Sequence, residues 1–115
     1  MKLCEDDIIK LAAEDPVELC RMCDAGELDH IDLTWAGEHL GNAPADVVTP
    51  TLVRMLAHAS PVAREGALIG LGNIEPKSAL TSALEALDHI ADSDPCNVLR
   101  PFACAIAQEI RTGEP

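Results

Sequence analysis

Aromatic side chains are almost missing from this chain: Trp35 and Phe102 are the only two, and there is no tyrosine. The core must therefore be aliphatic, built from Leu, Ile, Val and Ala. Residues that favour strands are few, whereas Ala and Leu, the strongest helix formers, are abundant. Cations are scarce as well. Eight Lys and Arg face twenty Asp and Glu, for a formal net charge of −12 and a pI near 4.4. Affinity for nucleic acid comes mainly from Lys and Arg neutralising phosphates, so this balance excludes nucleic acid as an expected partner. Anionic membrane surfaces are excluded on the same ground. No apolar run approaches a membrane span, and no apolar leader follows Met1-Lys2-Leu3-Cys4. The five cysteines are an odd number set mostly in apolar stretches, which predicts free thiols in a reducing cytoplasm. No phosphate-cradling glycine loop, nucleophile elbow or paired-histidine metal motif occurs.

What is present points to one helical domain, residues 1–115, large enough to bury a single core. Hydrophobic residues make up 48%, more than a disordered chain carries. Helix starts are marked by a capping residue followed by proline at Asp15-Pro16, Thr49-Pro50, Ser60-Pro61 and Asp94-Pro95, with a weaker version at Glu75-Pro76. Proline suits the first helical position, where its missing N–H is not needed, and the residue before it satisfies other free N–H groups. Leu80, Ala83, Leu84, Leu87, Ile90 and Ala91 fall on one stripe at helical spacing. Ala63, Ala67, Gly70, Leu71 and Ile74 fall on another. The predicted helices are 5–14, 16–25, 30–41, 47–58, 61–73, 76–92 and 96–111, joined by short connections that make antiparallel hairpins. Pro101 inside the last of these should kink it or delay its start.

The pattern also repeats. Residues 64–74 lie over 100–110 at an offset of 36, and over 36–42 at an offset of 31, where Ala67, Leu71, Gly72 and Asn73 match Ala36, Leu40, Gly41 and Asn42. A period of 30–36 residues predicts stacked hairpins, each burying its face on the next. Ser60-Pro61, Ala63-Arg64, Ala67 and Leu71-Gly72-Asn73-Ile74 resemble the second helix of a HEAT repeat, including the HEAT-like repeats of phycobilisome-lyase relatives. Asp94-Pro95, Leu99-Arg100 and Ala103 resemble the next copy, and 32–43 a degenerate first one, in which Asp32-Leu33 replaces the apolar-Arg pair. The resemblance spans 28–111. It implies an all-α fold, a short right-handed α-solenoid of about three antiparallel hairpins plus an N-terminal helix, whose second helices line a concave binding surface. It implies no reaction.

The candidate chemistry is sparse. Cys20-Arg21-Met22-Cys23 is a C-x-x-C, but zinc needs two more ligands and only His30 is near. Two small apolar residues on one helix face is the expected reading. His30, His39, His58 and His89 lack a Ser, Cys or Asp at a catalytic spacing, and structural roles are expected for each. Residues 24–32 lack the alternating oxygen ligands of a calcium loop. The chain is thus expected to have no catalytic residue, no metal site and no cofactor.

Charge distribution supplies the functional expectation. Residues 1–46 carry twelve acids against three bases, a balance of −9; residues 47–115 carry eight against five, a balance of −3. An acidic N-terminal half favours a protein partner with a basic surface, through steered encounter. The expected partner-binding residues are Asp24, Glu27, Asp29, Asp32 and Glu38, with Trp35 as an apolar anchor among them. Size and acidity fit an immunity or antitoxin-type inhibitor of a basic toxin or nuclease. The competing expectations are a scaffold or assembly adaptor that binds through the concave face and, less favoured, an enzyme of the HEAT-like lyase class.

Overall fold

The computed structural model describes residues 3–113, so Met1 and Lys2, on which the leader reading begins, lie outside it. Among the described residues seven α-helices follow one another: α1 Glu5–Glu14, α2 Pro16–Asp24, α3 His30–Leu40, α4 Ala45–Met55, α5 Pro61–Asn73, α6 Leu84–Ser93 and α7 Leu99–Thr112. A 3-10 helix, Lys77–Ala83, leads into α6. The described residues contain no strand, as the shortage of aromatic and β-branched residues predicts.

Not every proline mark is a helix start. Asp15 caps α2 as expected, its carboxylate accepting from the Glu18 N–H at 3.2 Å with Pro16 first in the helix. Pro61 is likewise first in α5, but the Ser60 side chain does not cap it; the Ser60 N–H donates instead to His58 Nδ1. Thr49-Pro50 lies inside α4, which begins five residues earlier after Pro44. Pro50 is tolerated there because it and Asp46, whose carbonyl loses its helical donor, are both exposed. Asp94-Pro95 closes α6 rather than opening α7, and α7 starts at Leu99. The delay is the one Pro101 demands: as third residue of α7 it occupies a position whose N–H has no helical acceptor. The single helix expected over 76–92 divides at Leu84. Buried Lys77 turns its ammonium back onto the Gly72 and Ile74 carbonyls, at 2.7 and 2.9 Å, tying the first turn of the segment to the end of α5.

The helices pack in two layers. α1, α3, α5 and α7 are neighbours in that order; α2, α4 and the 3-10–α6 segment cover them. The smallest dimension, 19 Å, is about two helix diameters. Ile8, Leu19, Leu40, Val48, Leu52, Leu68, Leu71, Leu80, Leu87 and Leu99 fill the space between, all essentially sealed from solvent. The closest packing is between α3 and α5. A Cβ on Gly70 would lie 2.2 Å from the Gly37 carbonyl oxygen, one on Gly66 would lie 2.6 Å from the Thr34 oxygen, and one on Gly41 would meet Gly70 at 2.5 Å. Backbone therefore touches backbone, which only glycine permits. These pairs rise together along both helices, so α3 and α5 run parallel, roughly level at the offset of 31 that the internal repeat shows.

The offset of 36 has a structural counterpart as well. Arg64 Nη1 donates to the His58 carbonyl at 2.9 Å, and Arg100 Nη1 donates to the Asp94 carbonyl at 2.8 Å. Each arginine thus holds the carbonyl six residues before it, at equivalent places in two copies.

Candidate partner-binding face

The α3 helix has four sides, and the structure assigns a use to each. Leu33, Ala36 and Leu40 face the core, and Thr34, Gly37 and Gly41 lie against α5. His39 turns toward α1, where its Nε2 lies 3.3 Å from Glu5 Oε2. At 100° per residue the fourth side is Ile31, Trp35, Glu38 and Asn42. Ile31 is 45% exposed, Trp35 is half-buried with its ring against the core edge, and Glu38 is half-buried. The same wheel drawn for α5 leaves Val62, Glu65, Ile69 and Asn73 outermost, since Gly66 and Gly70 lie on α3 and Ala67 and Leu71 enter the core. Val62 is 41% exposed.

Because α3 and α5 are parallel and level, the two stripes lie side by side. Ile31 is level with Val62 at one end, and Asn42 with Asn73 at the other. Trp35 is level with Gly66, which has no side chain to cover it. The result is an apolar strip with Glu38 and Glu65 as its acids. Ile9 on α1, also exposed, extends the apolar surface on the neighbouring helix.

Of the acids expected to recognise a partner, most are engaged within the molecule. Asp24 accepts from Arg54 Nε and Nη2, at 2.9 and 2.7 Å, and from Thr51 Oγ1 at 3.2 Å. The Arg54 guanidinium holds its carboxyl below the usual range. Glu27 pairs with Arg21 at 2.8 Å, and Arg21 also binds Glu18, so both glutamates are likewise held low by the guanidinium. Asp29 caps α3, accepting from the Asp32 N–H at 2.9 Å. Asp32 is 5% exposed, and its Oδ1 has no hydrogen-bond partner among the described residues. Trp35 and Glu38 alone of the six lie on the outer strip. The structure sets beside them Ile31, Val62, Glu65 and Ile69, which a search for acids passes over. The signal for them is in the sequence: the offset of 31 pairs Ile31 with Val62 and Asn42 with Asn73.

The cysteines offer no nucleophile on this face. Burial pushes the Cys20 thiol up and the Cys23 thiol up to about 12, so both are protonated at neutral pH. All five cysteines are free. No grouping of metal-binding side chains among the described residues includes Cys20 or Cys23. No described helix is long and apolar enough to cross a membrane.

Comparison of the chain with family models, with curated proteins and with solved structures finds no match in any of the three.

Proposed function

We propose that this protein is a non-catalytic protein-binding module, a short HEAT-like α-solenoid that acts as a scaffold or adaptor through the outer strip of α3 and α5. The observation that carries the reading is the pair of level stripes, Ile31–Trp35–Glu38 and Val62–Glu65–Ile69. They keep large apolar side chains partly in water on the layer that the HEAT resemblance makes concave. Exposed apolar area beside a few charges is the composition of a binding patch, with Trp35 as its natural anchor. Glu38 and Glu65 favour a partner with basic residues around an apolar knob. The protonation of Cys20 and Cys23 supports a binding role over a thiol-dependent one, and five free thiols support a cytoplasmic setting.

The alternative, an acidic inhibitor of a basic toxin or nuclease, rests on the −9 balance of residues 1–46. It is weakened where Asp24 and Glu27 spend their charge on Arg54 and Arg21. The test uses surface changes that leave the core alone. In captures from cell extract, Ile31→Ser with Val62→Ser should lose proteins that the wild type retains. Val17→Ser with Val98→Ser, exposed apolar residues elsewhere, should retain them. Glu38→Gln with Glu65→Gln should slow association with a captured partner, and most at low salt. Indifference to both strip variants, together with loss of binding on Glu27→Gln, would return the reading to the acidic inhibitor.

A further inference from the structure

Beside the strip, at the seam between α1 and α3, three metal-ligating side chains converge. One carboxylate oxygen each of Glu5 and Glu38 and a ring nitrogen of His39 all lie within 4.8 Å of one another. The closest pair, Glu5 Oε2 and His39 Nε2, is 3.3 Å apart. Tetrahedral zinc, with bonds of about 2.0–2.2 Å to nitrogen and oxygen, places its ligand atoms about 3.3–3.5 Å from each other. The Glu5–His39 pair already has that spacing, and the Glu38 oxygen lies within 4.8 Å of both. No Lys or Arg forms an ion pair with Glu5 or Glu38 among the described residues. A hollow of about 150 Å³, lined by Ile9, Ala12, Ala13, His39 and Asn42, lies beside the imidazole.

We propose that Glu5, Glu38 and His39 form a binding site for a divalent transition-metal ion, zinc in the first instance. The donor set decides the class. One imidazole nitrogen with two carboxylate oxygens suits zinc and its first-row neighbours, whereas calcium and magnesium take oxygen alone. Three protein ligands leave a fourth tetrahedral position for water or a partner's side chain. The ligands come from two helices about 33 residues apart in sequence, which is why no local motif announces them. A bound ion ties α1 to α3, and it cancels the two carboxylate charges at one edge of the partner-binding strip. The site does not depend on the strip having a partner, so the two readings fail separately.

The test is zinc titration of the full chain, freed of metal by chelation, followed by calorimetry. One zinc per chain is expected, with a melting temperature that rises with zinc concentration because the folded state alone assembles the site. His39→Ala and Glu5→Gln should each weaken binding by about tenfold or more, and Glu38→Gln should do so independently. Cys20→Ser with Cys23→Ser, and Cys4→Ser, should leave zinc affinity unchanged. Circular dichroism of each variant without zinc checks that the fold survives. Zinc binding that persists in His39→Ala, that disappears in the cysteine variants, or that is absent from wild type at millimolar zinc would overturn the proposal.

Discussion

Arg64 and Asp94 form the most deeply buried ion pair among the described residues, with side-chain exposures of 10% and 2%. Nε and Nη2 of the guanidinium meet the two carboxylate oxygens at 2.7 and 3.0 Å, and the Cys96 N–H adds a third bond at 2.8 Å. Two charges removed from water need this degree of satisfaction, and removing one partner strands the other. Asp94→Ala should therefore cost about 3–5 kcal/mol, measured by urea unfolding. Burial works against the Asp94 charge, yet the bonds from Arg64 and the Cys96 N–H outweigh it and hold the carboxyl below its ordinary value. A carboxyl depressed on folding stabilises the native state above its unfolded value, about 3.9, and that contribution disappears as pH falls through the folded value. The drop in stability from pH 7 to pH 3 should accordingly be smaller in Asp94→Asn than in wild type. An equal drop would assign acid sensitivity to the other paired carboxylates, Asp24 and Asp88, which are far more exposed and so contribute less. Both partners stand out in the sequence as marks of successive repeats, but nothing there joins one to the other across 30 residues.

Among the elements, α3 and α5 depend on what their glycines lack. Gly37, Gly41, Gly66 and Gly70 sit four apart in each helix, and each is buried against the other backbone. A Cβ on Gly72, in the same helix as Gly70, would lie 3.7 Å from Ile106 Cδ1, an ordinary contact distance. The two positions should respond in opposite directions. Gly70→Ala forces α3 and α5 apart and should destabilise by about 1–3 kcal/mol or more. Gly72→Ala fits the space and should gain up to about 1 kcal/mol from helix propensity. Thermal unfolding of the two variants checks the contrast, and a Gly70→Ala as stable as Gly72→Ala would mean that the helices part freely. The element pattern itself is largely legible: Ala67, Leu71 and Ile74 are buried as their spacing predicts, and Pro16 and Pro61 begin helices. Pro50 misleads because a proline on an exposed helix side costs a bond that water replaces. The division of 76–92 is illegible because the fold-back of the Lys77 ammonium onto the Gly72 and Ile74 carbonyls leaves no mark in apolar spacing.

Across the whole molecule, a net charge of −12 on 115 residues sets self-repulsion against a small aliphatic core. Raising salt from 10 to 150 mM shortens the Debye length from about 30 to about 8 Å and screens that repulsion. The surface pairs Arg21–Glu18, Arg54–Asp24 and Arg111–Asp88 weaken at the same time, but each is worth little. Stability should therefore rise with salt over this range. The fluorescence of Trp35, the sole tryptophan, reports it in urea titrations. A falling midpoint would show that the pairs outweigh the repulsion.

Composition and periodicity by themselves determined that this protein is helical, that its core is aliphatic, that its copies repeat at 31 and 36 residues and that its N-terminal half carries most of the charge. These are properties of residue type and of spacing along one chain, which propensity and amphipathicity read directly. Only the tertiary structure decided where that charge goes. Asp24 meets Arg54, and Glu27 curls back to Arg21, while Asp32 is sealed from solvent. An acid at a known position can thus be a surface charge, a cap or half of an ion pair, depending on what stands across the fold. The outer strip of α3 and α5 and the convergence of Glu5 with Glu38 and His39 belong to the same class of fact. Each exists because helices distant in sequence pack side by side, and packing is settled by glycine contacts and core volume rather than by any local run of residues.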